Sequence, residues 1–593
     1  MKNIIKSLAL VAAAAFVASC DLSEYNPNDY GEKAAFGTAS SIQLALNTFY
    51  HSELPKLTSA YSGEFGKSDY VVASSMSNRY TQAYTPESVS EWTDWEDMRN
   101  INYFLSMMDS DACGVTGDVK DNFVGQGRFF RAKIYFGYLK EYGDVPYFDH
   151  MLSAVTDDEY KERDSRDLII KKINEDLDYA IEHITAESPD CTGPTKYVAA
   201  FVKMRANLYE ASFRKYNNIT TSVTGESFKN YSVEDLYNEA VKAAEVIMNS
   251  GKYSLVSDYR KLFTSNALQK EEVILGAATS NTVLGSQNTY YNYGNQKTFV
   301  RPFINTFLMK DGSAYTAKAG YATETFAQEF ANRDPRLAKI VRTPGYKYDG
   351  KVVVPAIANM SAPLGYQIIK FCVDNCPDGA NDEKGNSNSN CVPVYRYAEV
   401  LLSYAEAKAE LGQLTDAEWA KTVGAIRQRA GITGGINNIP TSVDAYLKAN
   451  FYPNVDNAAI MEIRRERGCE LCLEGTREDD LLRWGCGSTL ASLAWDGMNF
   501  PALDTPFDAD NDGVADYYFT AGNAPSKYAD IAVKVNAQTG LNAVANGSVM
   551  KLTYPIASTL RYWADNRILA PIAYLTIAQY KEHGYTITQN PGY

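Results

Sequence analysis

Apolar residues recur three and four positions apart along much of this chain, and each such stripe predicts an amphipathic helix. Phe129, Ala132, Phe136 and Leu139 form one stripe, stopped by Gly143 and Pro146. Ile170, Ile173, Leu177, Ala180, Ile181 and Ile184 form a second. A third runs through Val233, Leu236, Tyr237, Ala240, Ala244, Ile247 and Met248 and closes at Gly251. Val400, Leu401, Tyr404, Ala405 and Leu411 share a fourth face, closed by Gly412. Thr415 followed by Glu418 reads as a capping box. Trp419, Val423 and Ile426 carry the buried face of the helix it starts.

These helices come in pairs joined by short turns, with small Ala and Gly residues at the contacts. The arrangement resembles tetratricopeptide hairpins, in which each unit buries its face on the next. No strict period is visible. Between the pairs lie irregular stretches, chiefly 60–95, 280–395 and 485–565. Loops this long in a compact body are usually functional. The expected fold class is all-α: tetratricopeptide-like helix pairs forming a scaffold, with long irregular loop-rich insertions.

The first residues read MKNIIKSLALVAAAAFVASC. Lys2 and Lys6 precede a short apolar run, Leu8 to Val17, which suits a signal peptide and is too short for a transmembrane helix. Val17-Ala18-Ser19-Cys20 resembles the lipobox of bacterial lipoproteins, which implies cleavage before Cys20 and acylation of that cysteine. The expected organisation is a signal peptide at 1–19 and a lipidated tether at 20–31. A single body follows over 32–593, with an N-terminal part to about 260 and a C-terminal part from 261. No later stretch is long and apolar enough to span a bilayer. The body is therefore expected outside the cytoplasm. There disulfides are permitted, and a bridge from Cys391 to Cys372 or Cys376 is one expectation. Cys469 and Cys472 read as packing residues on a helix face.

Composition removes several function classes. The formal net charge is −15, which excludes a nucleic-acid surface. Only 4 His are present, against a His-rich metal site. Tyr is abundant, at 43. Most of these rings must pack at helix interfaces, so only clusters in loops point to ligand binding.

Four stretches in order resemble the SusD/RagB family of outer-membrane nutrient-binding lipoproteins. The first carries Arg128, Arg131, Ala132, Gly143, Asp144, Val145 and Pro146. The second carries Arg396, Tyr397, Ala398, Glu399, Tyr404, Ala405, Glu406, Ala407 and Gly412, followed by Arg427, Arg429, Ala430 and Gly431. The third carries Glu466, Arg467, Glu470, Leu471, Glu474, Gly475, Arg477, Asp480, Leu481, Arg483, Trp484 and Gly485. The last is the terminal QNPGY, Gln589 to Tyr593. Cys469 and Cys472 depart from the family's apolar or aromatic pair.

The resemblance implies a cell-surface lipoprotein of the outer membrane that captures an oligosaccharide or, in some members, a peptide. It implies delivery to a SusC-like TonB-dependent transporter, and no enzymatic activity. An exported glycosidase is the competing class, and it requires two free carboxylates across a sugar-sized gap. Here Arg396, Glu399, Glu406, Arg467, Glu470, Glu474 and Arg477 crowd the same helices. They are expected to pair with one another at partly buried interfaces.

Ligand residues do not carry over by motif and are chosen by chemistry. Sugars need flat rings for their C–H faces and amides or Arg for their hydroxyls. Tyr290, Tyr291 and Tyr293, interleaved with Asn288 and Asn292, offer both in one stretch. Arg79, Tyr80, Tyr84 and Trp92 form a second candidate set, while Trp95 opens a helix and reads as core. The alternative for each stretch is a polar turn whose rings dock on neighbouring helices. Asp508, Asp510 and Asp512 occupy positions 1, 3 and 5 of a calcium loop, with Gly513 at 6, the Val514 carbonyl at 7 and Asp516 at 9. Phe519 stands where the bidentate Glu belongs. A structural Ca²⁺ is the one cofactor considered, against a plain Asp/Asn/Gly turn.

Overall fold

The structure is a computed structural model of the chain. It describes residues 31–593 except 57–63, 74, 91–94, 153–159, 279–297, 349, 359–361, 375–389, 537–538 and 555–560. The periodic stripes become helices. The first lies on α3 (Gly117–Tyr142), which follows α1 (Ala39–Glu53) and α2 (Glu96–Met108). The second and third lie on α4 (Arg166–His183) and α6 (Val233–Met248). Gly143 ends α3 at φ +79°, and its N–H closes on the Leu139 carbonyl. Between α4 and α6 runs α5 (Lys196–Tyr216), which shows no clean stripe because it is buried nearly all round, including Lys203, Asn207, Glu210 and Arg214.

The C-terminal helices are α7 (Tyr397–Glu410), α8 (Val423–Ala430), α9 (Ala445–Asn450), α10 (Ala458–Leu471) and α11 (Arg477–Arg483). The capping box of Thr415 and Glu418 starts a short helix that breaks at Thr422 before α8. Trp419, Val423 and Ile426 are fully buried across that break. Neighbours pack in series: α3 on α4, α4 on α5, α5 on α6, α6 on α7, and α7 on α10. This is the all-α frame of helix pairs that the periodicity predicts.

Among the described residues two large hydrophobic cores form, beside a small cluster of Leu308, Ala430 and Ile432, and the two interlace the sequence halves. One core holds α1 to α6 together with Leu569, Ile572 and Tyr580 from near the C-terminus. The other holds the later part of the chain together with Tyr70, Val71, Val72 and Tyr80 from near the N-terminus. Residues of α7 pack into both.

The stretch from 485 to 565 is not irregular throughout, contrary to its expected character. It contains β3 (Asp496–Phe500), β7 (Asn542–Asn546) and β8 (Val549–Thr553), with β8 central in an antiparallel sheet. A second sheet has β5 (Tyr517–Thr520) between β4 (Pro506–Phe507) and β6 (Ala532–Lys534). Further back, β1 (Val273–Ala277) pairs antiparallel with β2 (Val392–Arg396).

Cys391 is a buried free thiol, which removes a bridge from it to Cys372; Cys376 lies outside the described residues. Cys469 and Cys472 are buried as expected, and burial pushes both thiols up. No helix among the described residues is long and apolar enough to cross a membrane.

Candidate functional site

The charged residues of the later helices form a buried ion-pair lattice. Arg396 reaches Glu272 at 2.5 Å, Glu470 at 3.1 Å and Glu474 at 2.7 Å. Glu470 also meets Arg336 at 3.2 Å and Arg429 at 2.5 Å. Glu406 accepts from both terminal nitrogens of Arg483 and from Trp484 Nε1. Glu399 takes Arg205 and Arg467, and Arg467 also holds Asp480. Arginine neighbours outweigh burial and hold the Glu399 carboxyl at about 2. A carboxylate held so firmly ionised is a poor proton donor at neutral pH. These residues carry structure.

The early candidate segment is turned inward. Tyr80 is 0% exposed, its hydroxyl donates to Glu478 Oε1 at 2.6 Å, and its ring stacks on Trp563. Arg79 is buried on Glu141, 2.5 Å away. Tyr84 is buried under Arg567, with Tyr593 against its edge. This corrects the expectation that Arg79, Tyr80 and Tyr84 face ligand. Most of their partners stand far along the chain, where local composition cannot announce them. Trp95 packs edge-on against Tyr138 and Phe148, as a core ring should. Trp92, Asn288, Tyr290, Tyr291, Asn292 and Tyr293 lie outside the described residues.

Among the described residues, two clefts lie apart from these segments. Two adjoining clefts, of about 450 and 640 Å³, share Tyr321, Tyr446, Ala449 and Asn450 as a common wall. Both volumes fall in the range of small-molecule sites. Asp444 caps α9 by accepting from Leu447 N–H at 3.0 Å, which fixes the helix that presents Tyr446 and Asn450. The Tyr446 hydroxyl donates to the Pro302 carbonyl at 3.2 Å.

Tyr321 stands on a turn gripped from three sides. The Ala322 carbonyl accepts from Arg301 at 3.1 Å, Asn499 at 2.9 Å and Asn546 at 2.7 Å. Asn546 comes from the β7–β8 hairpin, whose Gly547 takes φ +64°. That Asn-Gly pair, flanked by strand-forming residues, was a readable hairpin signal. Nothing local marked Tyr321 or Tyr446 among so many tyrosines.

Two buried atoms of residues that line the first cleft, Asn305 Oδ1 and Arg301 Nε, have no hydrogen-bond partner among the described residues. Asn305 is 7% exposed, and its Nδ2 donates to Tyr446 Oη at 3.3 Å. Its Oδ1 is buried with no hydrogen-bond partner among the described residues. A buried orphan acceptor is costly and calls for a donor.

The acidic loop joins β4 to β5, so strands flank it in place of EF-hand helices. Carboxylate oxygens of Asp508, Asp510 and Asp516 lie within 4.8 Å of one another, a donor set that fits a hard cation. Burial, together with the neighbouring Asp510, Asp508 and Asp512, pushes the Asp516 carboxyl up to about 6. Asp512 departs from its expected place: its Oδ1 accepts from Val514 N–H at 2.8 Å and stays out of the cluster. The Val514 side chain is 65% exposed.

Comparisons with known proteins agree with this architecture. A sequence model of the SusD family matches residues 244–593. A SusD-like protein of Formosa agariphila is 22% identical over 509 residues, covering 81% of this chain and 91% of that protein. A solved SusD-like carbohydrate-binding protein of Bacteroides fragilis superposes with TM-score 0.65 at 18% identity, over 92% of this chain and 98% of that one. Surface glycan-binding protein A of Bacteroides fluxus superposes with TM-score 0.53 at 17% identity, over 94% and 100%. With the buried arginine–carboxylate lattice and the helix-pair frame in place, the match over the C-terminal part means that this chain belongs to the SusD family.

Proposed function

We propose that this protein captures a glycan at the bacterial cell surface and passes it, chemically unchanged, to a SusC-type TonB-dependent transporter. In this reading Cys20 carries the lipid that holds the chain on the outer membrane. Relatives described as carbohydrate-binding and glycan-binding support the ligand class. The observation that carries the assignment to a place is the cleft itself, where Tyr321 and Tyr446 share a wall with the amides of Asn305, Asn450 and Asn546. A sugar ring laid on Tyr321 brings its hydroxyls to those amides. The set of Trp92, Asn288, Tyr290, Tyr291, Asn292 and Tyr293 is proposed as an additional stacking surface. The Asp508, Asp510 and Asp516 cluster is proposed to hold a structural calcium that pins the β4–β5 loop.

The test is a glycan array, run beside a peptide library, on wild type and on Tyr321→Ala, Asn305→Ala, Trp92→Ala and Tyr291→Ala. The expected result is glycan binding, weakened at least tenfold by Tyr321→Ala with an unchanged melting temperature. Weakening only by Trp92→Ala or Tyr291→Ala moves the site to that second set. Binding of peptides alone, or appearance of cleaved glycan, refutes the proposed function.

A further inference from the structure

We infer that the groove selects an uncharged glycan over one bearing carboxylate or sulfate groups. This deepens the glycan reading of the groove and rests on it. Four cations line the two clefts: Arg301, Lys551, Arg427 and Arg465. Each is already committed to a carboxylate of this chain. Lys551 holds Asp496 at 2.5 Å on the lip of the first cleft. Arg301 lies 3.3 Å from buried Glu329, and its terminal nitrogens donate to the carbonyls of Tyr321, Ala322 and Glu324. Arg427 meets Glu462 at 2.6 Å and Glu466 at 2.9 Å. Arg465 pairs with Asp444 and with Glu462 at 2.9 Å.

An incoming anion therefore finds no spare cation among the described residues of the groove. To recruit one it must displace a resident carboxylate, which then repels it at close range. The formal charge of −15 opposes its approach as well. Uncharged hydroxyl-rich rings satisfy this groove without breaking anything in it.

The test measures affinity of the full chain, in detergent, for oligosaccharide pairs matched except for charge. Suitable pairs are carboxyl-reduced with native oligogalacturonate, carboxyl-reduced with native glucuronoxylan fragments, and desulfated with native κ-carrageenan oligosaccharides. The expected result is tenfold or tighter binding of the uncharged member in whichever pair binds. Asp496→Asn, which frees Lys551, should shrink or reverse that ratio. Lys551→Gln, which leaves no lone cation, should not, and it serves as the control if Asp496→Asn folds poorly. Equal or tighter binding of the charged member, lost on Tyr321→Ala, overturns this inference while leaving the groove as the site. Binding that ignores Tyr321→Ala, or no binding in any pair, removes the groove reading beneath it.

Discussion

Replacing Glu399 by Gln separates a structural carboxylate from a functional one. Glu399 is buried on α7, where Arg205 donates to it at 2.7 and 2.5 Å and Arg467 at 3.1 Å. Burial alone would raise its pKa, but the two arginines more than offset this and lower it from 4.5 to about 2. That difference corresponds to about 3 kcal/mol in favour of the charged form in the folded state. Breaking one side of a buried pair typically costs about 3–5 kcal/mol. We therefore expect Glu399→Gln to lose roughly 3 kcal/mol at pH 7, read from urea unfolding followed by tryptophan fluorescence. The sign with pH is fixed. A depressed carboxylate stabilises fully above its unfolded pKa and loses that contribution as pH falls through the folded one. The gap between wild type and variant should hold down to about pH 4.5 and fall to half or less by pH 3. Glycan affinity should stay unchanged in the folded variant. A loss under about 1 kcal/mol, or lost binding at full stability, would refute the structural assignment.

Three further outcomes are expected. Calcium added to chelator-stripped protein should release or absorb heat and raise the melting temperature, and Asp508→Asn with Asp510→Asn should abolish both effects. Because the Asp516 carboxyl is raised to about 6, the unliganded loop is disfavoured above that pH and relieved below it, so mild acid should stabilise the stripped protein and not the calcium-loaded one. No heat at any pH would end the calcium proposal. Cys20→Ser should abolish acylation, detected as a missing mass increment on the mature N-terminus, and release the protein from membranes; retention of the variant on the outer membrane would end the anchor proposal.

The helical frame was legible along the chain. The stripes through Ile170 and Leu177 on α4 and through Leu236 and Ala240 on α6, like the Thr415–Glu418 cap, depend on residues a few positions apart, so local periodicity reports them. Charge crowding on the later helices announced pairing as well. Which aromatics face outward was settled by three-dimensional packing. Tyr80 and Tyr84 sat in a loop-like stretch of suitable composition, yet Glu478, Trp563 and Arg567 from the far end of the chain draw them inside. Tyr321, Tyr446, Asn305 and Asn546 carried no shared local pattern, and only the docking of a turn, a helix and a hairpin makes them one groove. Spacing along a chain records neighbours on the same element. A binding surface is built from separate elements, and burial there depends on partners hundreds of residues away.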